Sequence, residues 1–270
     1  GVFFVGLFVG SFLNVCIYRL PREQSIVRPR SHCFFCGTPL GLWDLVPLGS
    51  YLWLRGKCRY CGVLLSSRYF WGELATGLAV GLLYLRHGPS LEFCLASLAA
   101  CALIPIFAID LEHRIIPHEL NWAMAGVGFL RDGLYLGLGR TEPLRLPWPG
   151  GAGFPLPASV AGALTGWLLL LLIVHLGRWW FRQEAMGGGD LRFAVAAGAY
   201  FGPGNLALLL LLAIVSGAAV GVMLILLRRR KRRDYIPFGP FLTAAAYLLL
   251  LYPRLGSDLW QAYWGTMGMG

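Results

Sequence analysis

The sequence predicts an all-α polytopic membrane protein, and three observations lead there. The chain of 270 residues is 57% hydrophobic and only 13% charged, about half the charged share of an ordinary soluble domain. Its mean hydropathy is +0.63. Apolar windows close to the roughly 20 residues that cross a bilayer recur from one end to the other. About eight transmembrane helices are expected, near residues 2–18, 71–86, 91–109, 118–138, 158–180, 191–203, 205–227 and 238–253. The sixth window is short and rich in Ala and Gly, and Pro203 and Gly204 divide it from the seventh as a tight turn would. Residues 139–157 are rich in Pro, Gly and Leu without helical periodicity and read as a loop.

Charge orients these spans. The 23 basic residues outnumber the 13 acidic ones, for a net charge of +10. They cluster, which points to membrane orientation rather than to a nucleic-acid partner. Segment 19–70 holds Arg19, Arg22, Arg28, Arg30, Arg55, Lys57, Arg59 and Arg68, and 228–233 is R-R-R-K-R-R. The positive-inside rule puts both in the cytoplasm, and eight spans satisfy that requirement together. The basic run also suits anionic membrane lipid. The expected organisation is a first transmembrane helix at 1–18, a cytoplasmic insert at 19–70, a transmembrane domain at 71–255 and a tail at 256–270. No basic n-region or A-x-A site opens the chain, so no cleaved signal peptide is expected. The chain begins at Gly1 rather than Met, which leaves open a native N-terminus further upstream.

The insert contains two C-x-x-C pairs, Cys33/Cys36 and Cys58/Cys61, with 21 residues between them. Four thiolates at this spacing suit a tetrahedral structural zinc site. The competing reading is a pair of free or redox-active dithiols. A loop of about 50 residues with little apolar core needs a staple to fold, which favours zinc. Gly37 and Gly62 follow the second cysteine of each pair, as tight knuckle turns require. Cys16, Cys94 and Cys101 lie in apolar windows and read as small buried hydrophobes.

Two carboxylates stand where a carboxylate is costly. Asp110 closes the third window and opens D-L-E-H-R-I-I-P; Asp190 closes M-G-G-G-D before the sixth. An ionisable residue at membrane depth is a functional candidate by default. The span count puts both at the cytoplasmic face, two spans apart, where a pair could share a proton and activate water. One carboxylate would act as base and the other as acid. Taken singly, each has a plainer reading: Asp190 as a helix N-cap after a glycine-rich loop, and Asp110 as an interfacial charge. Gly187 and Gly189 are expected to allow close approach and unusual backbone conformations. Asn14 reads as a helix–helix hydrogen-bonding residue, Glu73 as a dyad neighbour or, more simply, an interfacial charge, and P-F-G-P at 237–240 as a helix start. No H-E-x-x-H motif is present, since His118-Glu119 lacks the second histidine.

Together these residues resemble the bacterial type IV prepilin peptidases, bifunctional leader peptidase/N-methyltransferases with aspartic chemistry of the G-x-G-D type. The resemblance runs through G-S-F-L-N-V-C-I-Y-R-L-P at 10–21, S-H-C-F-F-C, L-R-G-K-C-R-Y-C and S-R-Y-F-W-G-E-L at 67–74. It continues in D-L-E-H-R-I-I-P at 110–117, M-G-G-G-D-L-R at 186–192 and I-P-F-G-P-F at 236–241. It implies that Asp110 and Asp190 are the catalytic pair and that Glu73, Gly187 and Gly189 shape the site. It implies prepilin or pseudopilin substrates cut after Gly at the cytoplasmic face of the inner membrane. It further implies N-methylation of the new N-terminus with S-adenosylmethionine, linked to the zinc-binding insert. Arg192 stands where the family often has Lys, and His118 where it often has an acidic residue. The alternatives are a presenilin-like protease, against which the cysteine insert argues, and a proton-coupled transporter, which would need inverted repeats and midplane carboxylates. A non-enzymatic assembly factor built on the cysteine insert is a third.

Overall fold

A computed structural model of the chain describes residues 1–140, 144–146, 154–181, 187–227, 236–256 and 258–259. The basic run at 228–233 and most of the expected C-terminal tail lie outside the described residues. Two compact units are present, Gly1–Ile109 and Asp110–Gly270.

The first unit contains α1 (Val2–Arg19), the short α2 (Gly49–Trp53), α3 (Arg68–His87) and most of α4 (Leu91–His113). Pro21 follows the end of α1, and the chain leaves through a tight 3-10 turn at Leu20–Arg22. Helices α1 and α3 pack through small residues. A methyl group on Gly6 would sit 2.9 Å from the Gly77 Cα, and one on Gly10 would sit 2.8 Å from the Glu73 Cα. Such G-x-x-x-G approach is how apolar helices associate without a hydrophobic drive between them. At the end of this seam the Asn14 amide donates to the Tyr69 carbonyl at 2.9 Å, the interhelical bond its position suggests. Gly88, with φ +62°, ends α3.

The second unit contains α5 (His118–Gly137), α6 (Ala158–Phe181), α7 (Gly188–Leu226) and α8 (Gly239–Leu251). Helix α7 is the hub, with α5, α6 and α8 all packed on it. Gly162 and Gly166 of α6 face Ala194, Gly198 and Gly202 of α7 so closely that a methyl on Gly162 would overlap the Gly198 carbonyl, and the reverse. On α5, a methyl at Gly128 would lie 2.6 Å from the Tyr200 backbone nitrogen. A polar contact anchors the start of α6: buried Asp132 accepts the Ser159 N–H at 2.9 Å and its hydroxyl at 2.7 Å. That satisfies one of the free donors of a helix N-terminus.

Three details differ from expectation. Helix α7 covers both the sixth and seventh windows, and its break falls at Gly202 (φ 74°, ψ 175°) rather than at Pro203–Gly204. A proline disfavours helical geometry in the residue before it, and glycine is free to take the positive φ found there. The 139–157 loop contains a small antiparallel pair, β1 (Leu144–Leu146) and β2 (Phe154–Leu156), so the chain is not wholly helical. All eight apolar windows fall on helix, yet four helices among the described residues are long and apolar enough to cross a membrane: Val2–Arg22, Leu91–His113, Ala158–His175 and Gly188–Leu226. Helices α3 and α5 carry charges within their length, and α8, with 13 residues, spans about 20 Å of the roughly 30 Å hydrocarbon core.

Candidate active site and metal centre

The four insert cysteines come together on two similar turns. In the first, the Gly37 N–H donates to the Cys33 carbonyl at 2.8 Å and the Cys33 N–H to the Thr38 carbonyl at 3.0 Å. In the second, Gly62 donates to Cys58 at 3.0 Å and Cys58 to Val63 at 2.9 Å. Gly37 (φ +69°) and Gly62 (φ +71°) hold the left-handed conformation that closes each turn. All four Sγ atoms lie within 4.8 Å of one another, and those of Cys33 and Cys61 are 3.8 Å apart. A tetrahedral ion with metal–sulfur bonds of about 2.3 Å separates its sulfurs by about 3.8 Å, so the cluster is shaped to hold a metal. The Thr38 hydroxyl, 3.3 Å from Cys36 Sγ, and the Thr38 backbone hold that thiol down at about 6. The thiolate is the form that binds metal.

Polar contacts that the sequence did not single out brace this cluster. Asp44 sits on a 3-10 turn (Leu42–Leu45) and accepts from Arg59 Nε at 2.6 Å, the Tyr60 hydroxyl at 3.0 Å and the Gly41 N–H at 3.0 Å. Burial pushes the Asp44 carboxyl up, but these three donors outweigh it and hold the group below the usual carboxylate range. Arg19, buried at the end of α1, donates to the Ser25 and Pro29 carbonyls at 2.9 and 2.8 Å. It ties the first loop of the insert to the helix.

Asp110 and Asp190 both belong to the second unit. Asp110 is 5% exposed near the end of α4, and Asp190 is 8% exposed in the first turn of α7. The start of α7 approaches the segment that follows Asp110, since a methyl added to Gly189 would lie 3.2 Å from Ile116 Cβ. Asp110 Oδ2 accepts the Gly239 N–H at 2.9 Å across 129 residues of sequence. A methyl on Gly239 would lie 2.5 Å from that oxygen, so the glycine of P-F-G-P is needed for close approach as well as for starting α8.

The neighbouring candidates separate. Gly189 does allow close approach: its added methyl would meet Ile116 Cβ at 3.2 Å. Neither Gly187 nor Gly189 adopts a positive φ, and Gly187 precedes α7 in extended geometry (φ −72°, ψ 148°). Their expected unusual conformations are therefore absent. Glu73 lies in the first unit and is 9% exposed, so it is not a solvated interfacial charge. Its Oε2 accepts the Leu48 N–H at 2.8 Å. Asn121, on the α5 face that also carries Gly128, is 4% exposed and neither end of its amide has a hydrogen-bond partner. Nothing in its sequence context marks it.

Comparison with known proteins agrees with the motif order. Residues 4–87 match the bacterial Peptidase A24 N-terminal domain, and residues 97–222 match the type IV leader peptidase family. A prepilin leader peptidase/N-methyltransferase of Myxococcus xanthus is 37% identical over 74% of this chain and 55% of its own length. Its namesake in Aeromonas salmonicida is 31% identical over 98% of this chain and 94% of its own length. One from Burkholderia pseudomallei is 35% identical over 92% and 83%. No solved structure matches significantly. With both of its units matched in order and the Aeromonas relative aligned nearly end to end, the chain belongs to the type IV leader peptidase family.

Proposed function

We propose that this protein is a membrane aspartic endopeptidase of the G-x-G-D type that removes the leader peptides of type IV prepilins and pseudopilins. It cuts after Gly at the cytoplasmic face of the bacterial inner membrane, with the chain crossing that membrane eight times. It then methylates the new N-terminal residue. The carrying observation is the burial of Asp110 and Asp190 in one unit, where Gly189, beside Asp190, packs against Ile116 of the segment that follows Asp110.

In this reading the ionised carboxylate takes a proton from water, whose oxygen attacks the scissile carbonyl carbon. The protonated partner donates to the carbonyl oxygen, and the proton taken from water passes to the departing nitrogen as the C–N bond breaks. The Gly239 N–H occupies Asp110 Oδ2, leaving Oδ1 for water or for the shared proton. Gly187 and Gly189 let the start of α7 lie close to this site. The relatives' second named activity supports methyl transfer, for which S-adenosylmethionine supplies an electrophilic methyl group. Cys33, Cys36, Cys58 and Cys61 would hold a structural zinc ion; their closed four-sulfur set leaves no open position for catalysis.

Purified protein incubated with a prepilin tests the dyad. Asp110→Asn and Asp190→Asn should each lower cleavage by about 10²–10⁴-fold while leaving methylation of a pre-cleaved substrate in place. Cleavage near the wild-type rate in either variant would overturn the assignment.

A further inference from the structure

The packing of α1 against α3 fixes the depth of a segment that sequence alone leaves in the cytoplasm. The two helices run antiparallel, with Gly6 against Gly77, Gly10 against the Glu73 backbone and Asn14 bonded to Tyr69. Gly10 stands about 13 Å along α1 from its Arg19 end. Helix α1 with its following turn, Val2–Arg22, is long and apolar enough to cross a membrane. Glu73 is therefore well inside the span, and it holds the Leu48 N–H at 2.8 Å. A glutamate side chain is only a few ångströms long, so Leu48 lies deeper than the end of α1. A second tie acts nearby: the Tyr51 ring is 5.7 Å from that of Phe70, in the first turn of α3.

Leu48 lies between the 3-10 turn Leu42–Leu45 and α2, and these two short elements pack together. On their inner side Ser50, Tyr51 and Leu54 close a cavity of about 370 Å³ beside Asn14 and Glu73. Their outer side is apolar and uncovered: Leu42 and Trp43 are 86% and 80% exposed, Leu52 and Trp53 63% and 87%. A cluster of exposed apolar side chains marks an interaction surface, and its depth decides what covers this one. Tryptophan gathers at the level of lipid headgroups, with its ring in the acyl boundary. Charge agrees with that location. Asp44 is the one acid in residues 41–60 and is bound to Arg59, while Arg55 and Lys57, both exposed, follow α2 directly. Basic residues at a bilayer surface are drawn to anionic headgroups.

We propose that residues 42–57 form an interfacial anchor in the leaflet at the Arg19 end of α1. Leu42, Trp43, Leu52 and Trp53 enter the acyl boundary, and Arg55 and Lys57 meet anionic headgroups. An apolar face in the acyl boundary with basic residues above it is the arrangement of interfacial membrane segments. The assignment rests on α1 crossing the bilayer and on no part of the cleavage or methyl-transfer chemistry. Its consequence is positional. The cysteine turns, which flank this segment in sequence, are held at a fixed height at the membrane surface rather than extended into solvent.

Lipid photolabelling of the full-length protein tests this on the wild type. The protein is reconstituted in vesicles of phosphatidylethanolamine and phosphatidylglycerol containing a phospholipid with a diazirine in its acyl chain. Adducts are then mapped by mass spectrometry. The peptide carrying Trp43 and Trp53 should be labelled together with α1. Exchanging phosphatidylglycerol for phosphatidylcholine, or combining Arg55→Gln with Lys57→Gln, should lower its labelling about threefold while labelling of α1 and metal content stay unchanged. An unlabelled 42–57 segment beside a labelled α1 would mean that a protein surface covers the patch, and would overturn the anchor. Labelling indifferent to both charge changes would overturn the headgroup contact. Absence of label on α1 would instead overturn the membrane crossing on which the proposal rests.

Discussion

The insert of the first unit and the helix cluster of the second are held together by opposite means. Around the cysteines there is little apolar core: Leu42, Trp43 and Trp53 are each at least 80% exposed. Order there comes from four thiols, two left-handed glycines and a few charged hydrogen bonds. In the second unit, α5, α6 and α7 touch backbone to backbone through Gly128, Gly162 and Gly198, and Asp132–Ser159 is a rare polar fastening. The first arrangement depends on functional groups and so on solution chemistry. The second depends mainly on the absence of side chains, which a chelator does not touch. Each region should therefore fail to a different insult.

The largest effect is expected from metal. Purified protein should contain about one zinc ion per chain, measurable by mass spectrometry. Cys58→Ser or a strong chelator should remove it. Structural zinc is worth on the order of 10 kcal/mol to small modules, so residues 31–66 should become protease-sensitive while the second unit stays resistant. Zinc content unaffected by Cys58→Ser would break the contrast. The converse insult is Gly198→Leu, which drives a side chain into the Gly162 backbone. It should cost about 3 kcal/mol or more in thermal unfolding of the second unit, with zinc retained.

Smaller changes sharpen the comparison. Gly239→Ala places a methyl against Asp110 Oδ2. Displacing a reacting group by about 1 Å can cost about a hundredfold in rate, so cleavage should fall far more than stability does. Asp44→Asn weakens the charged brace of the insert and should cost on the order of 1–2 kcal/mol. Because the folded-state pKa of Asp44 is depressed, its contribution is present above the ordinary carboxylate pKa and is lost as pH falls through the lower folded value. Wild type and Asp44→Asn should differ at neutral pH and converge in acid, as monitored by protease resistance of the insert.

Much of this was legible in the chain because it is local. A C-x-x-C-G turn closes within six residues, and an apolar window announces its own helix. The placement of Asp110 and Asp190 in one unit could be anticipated, since both flank such windows. What stayed hidden depends on register between distant segments. The Gly239–Asp110 bond joins residues 129 apart, and no periodicity encodes it. The cavity beside Glu73 exists because Asn14, Tyr51 and Tyr69 converge from separate elements, so Glu73 alone looked like a charge at a helix end. The break in α7 was displaced by one residue because proline acts on the residue before it. Asn121 has no sequence signal of any kind; only its burial without partners sets it apart.

The Gly239–Asp110 bond also has a consequence for biosynthesis. A ribosome has made both aspartates by residue 190, yet the N–H that holds Asp110 arrives almost fifty residues later with the start of α8. A nascent chain interrupted after α7 would thus carry the full acidic pair in an unfinished setting. Proteolytic competence, on the reading above, would switch on only when the last helix is inserted, which protects the membrane from a half-built protease during its own synthesis.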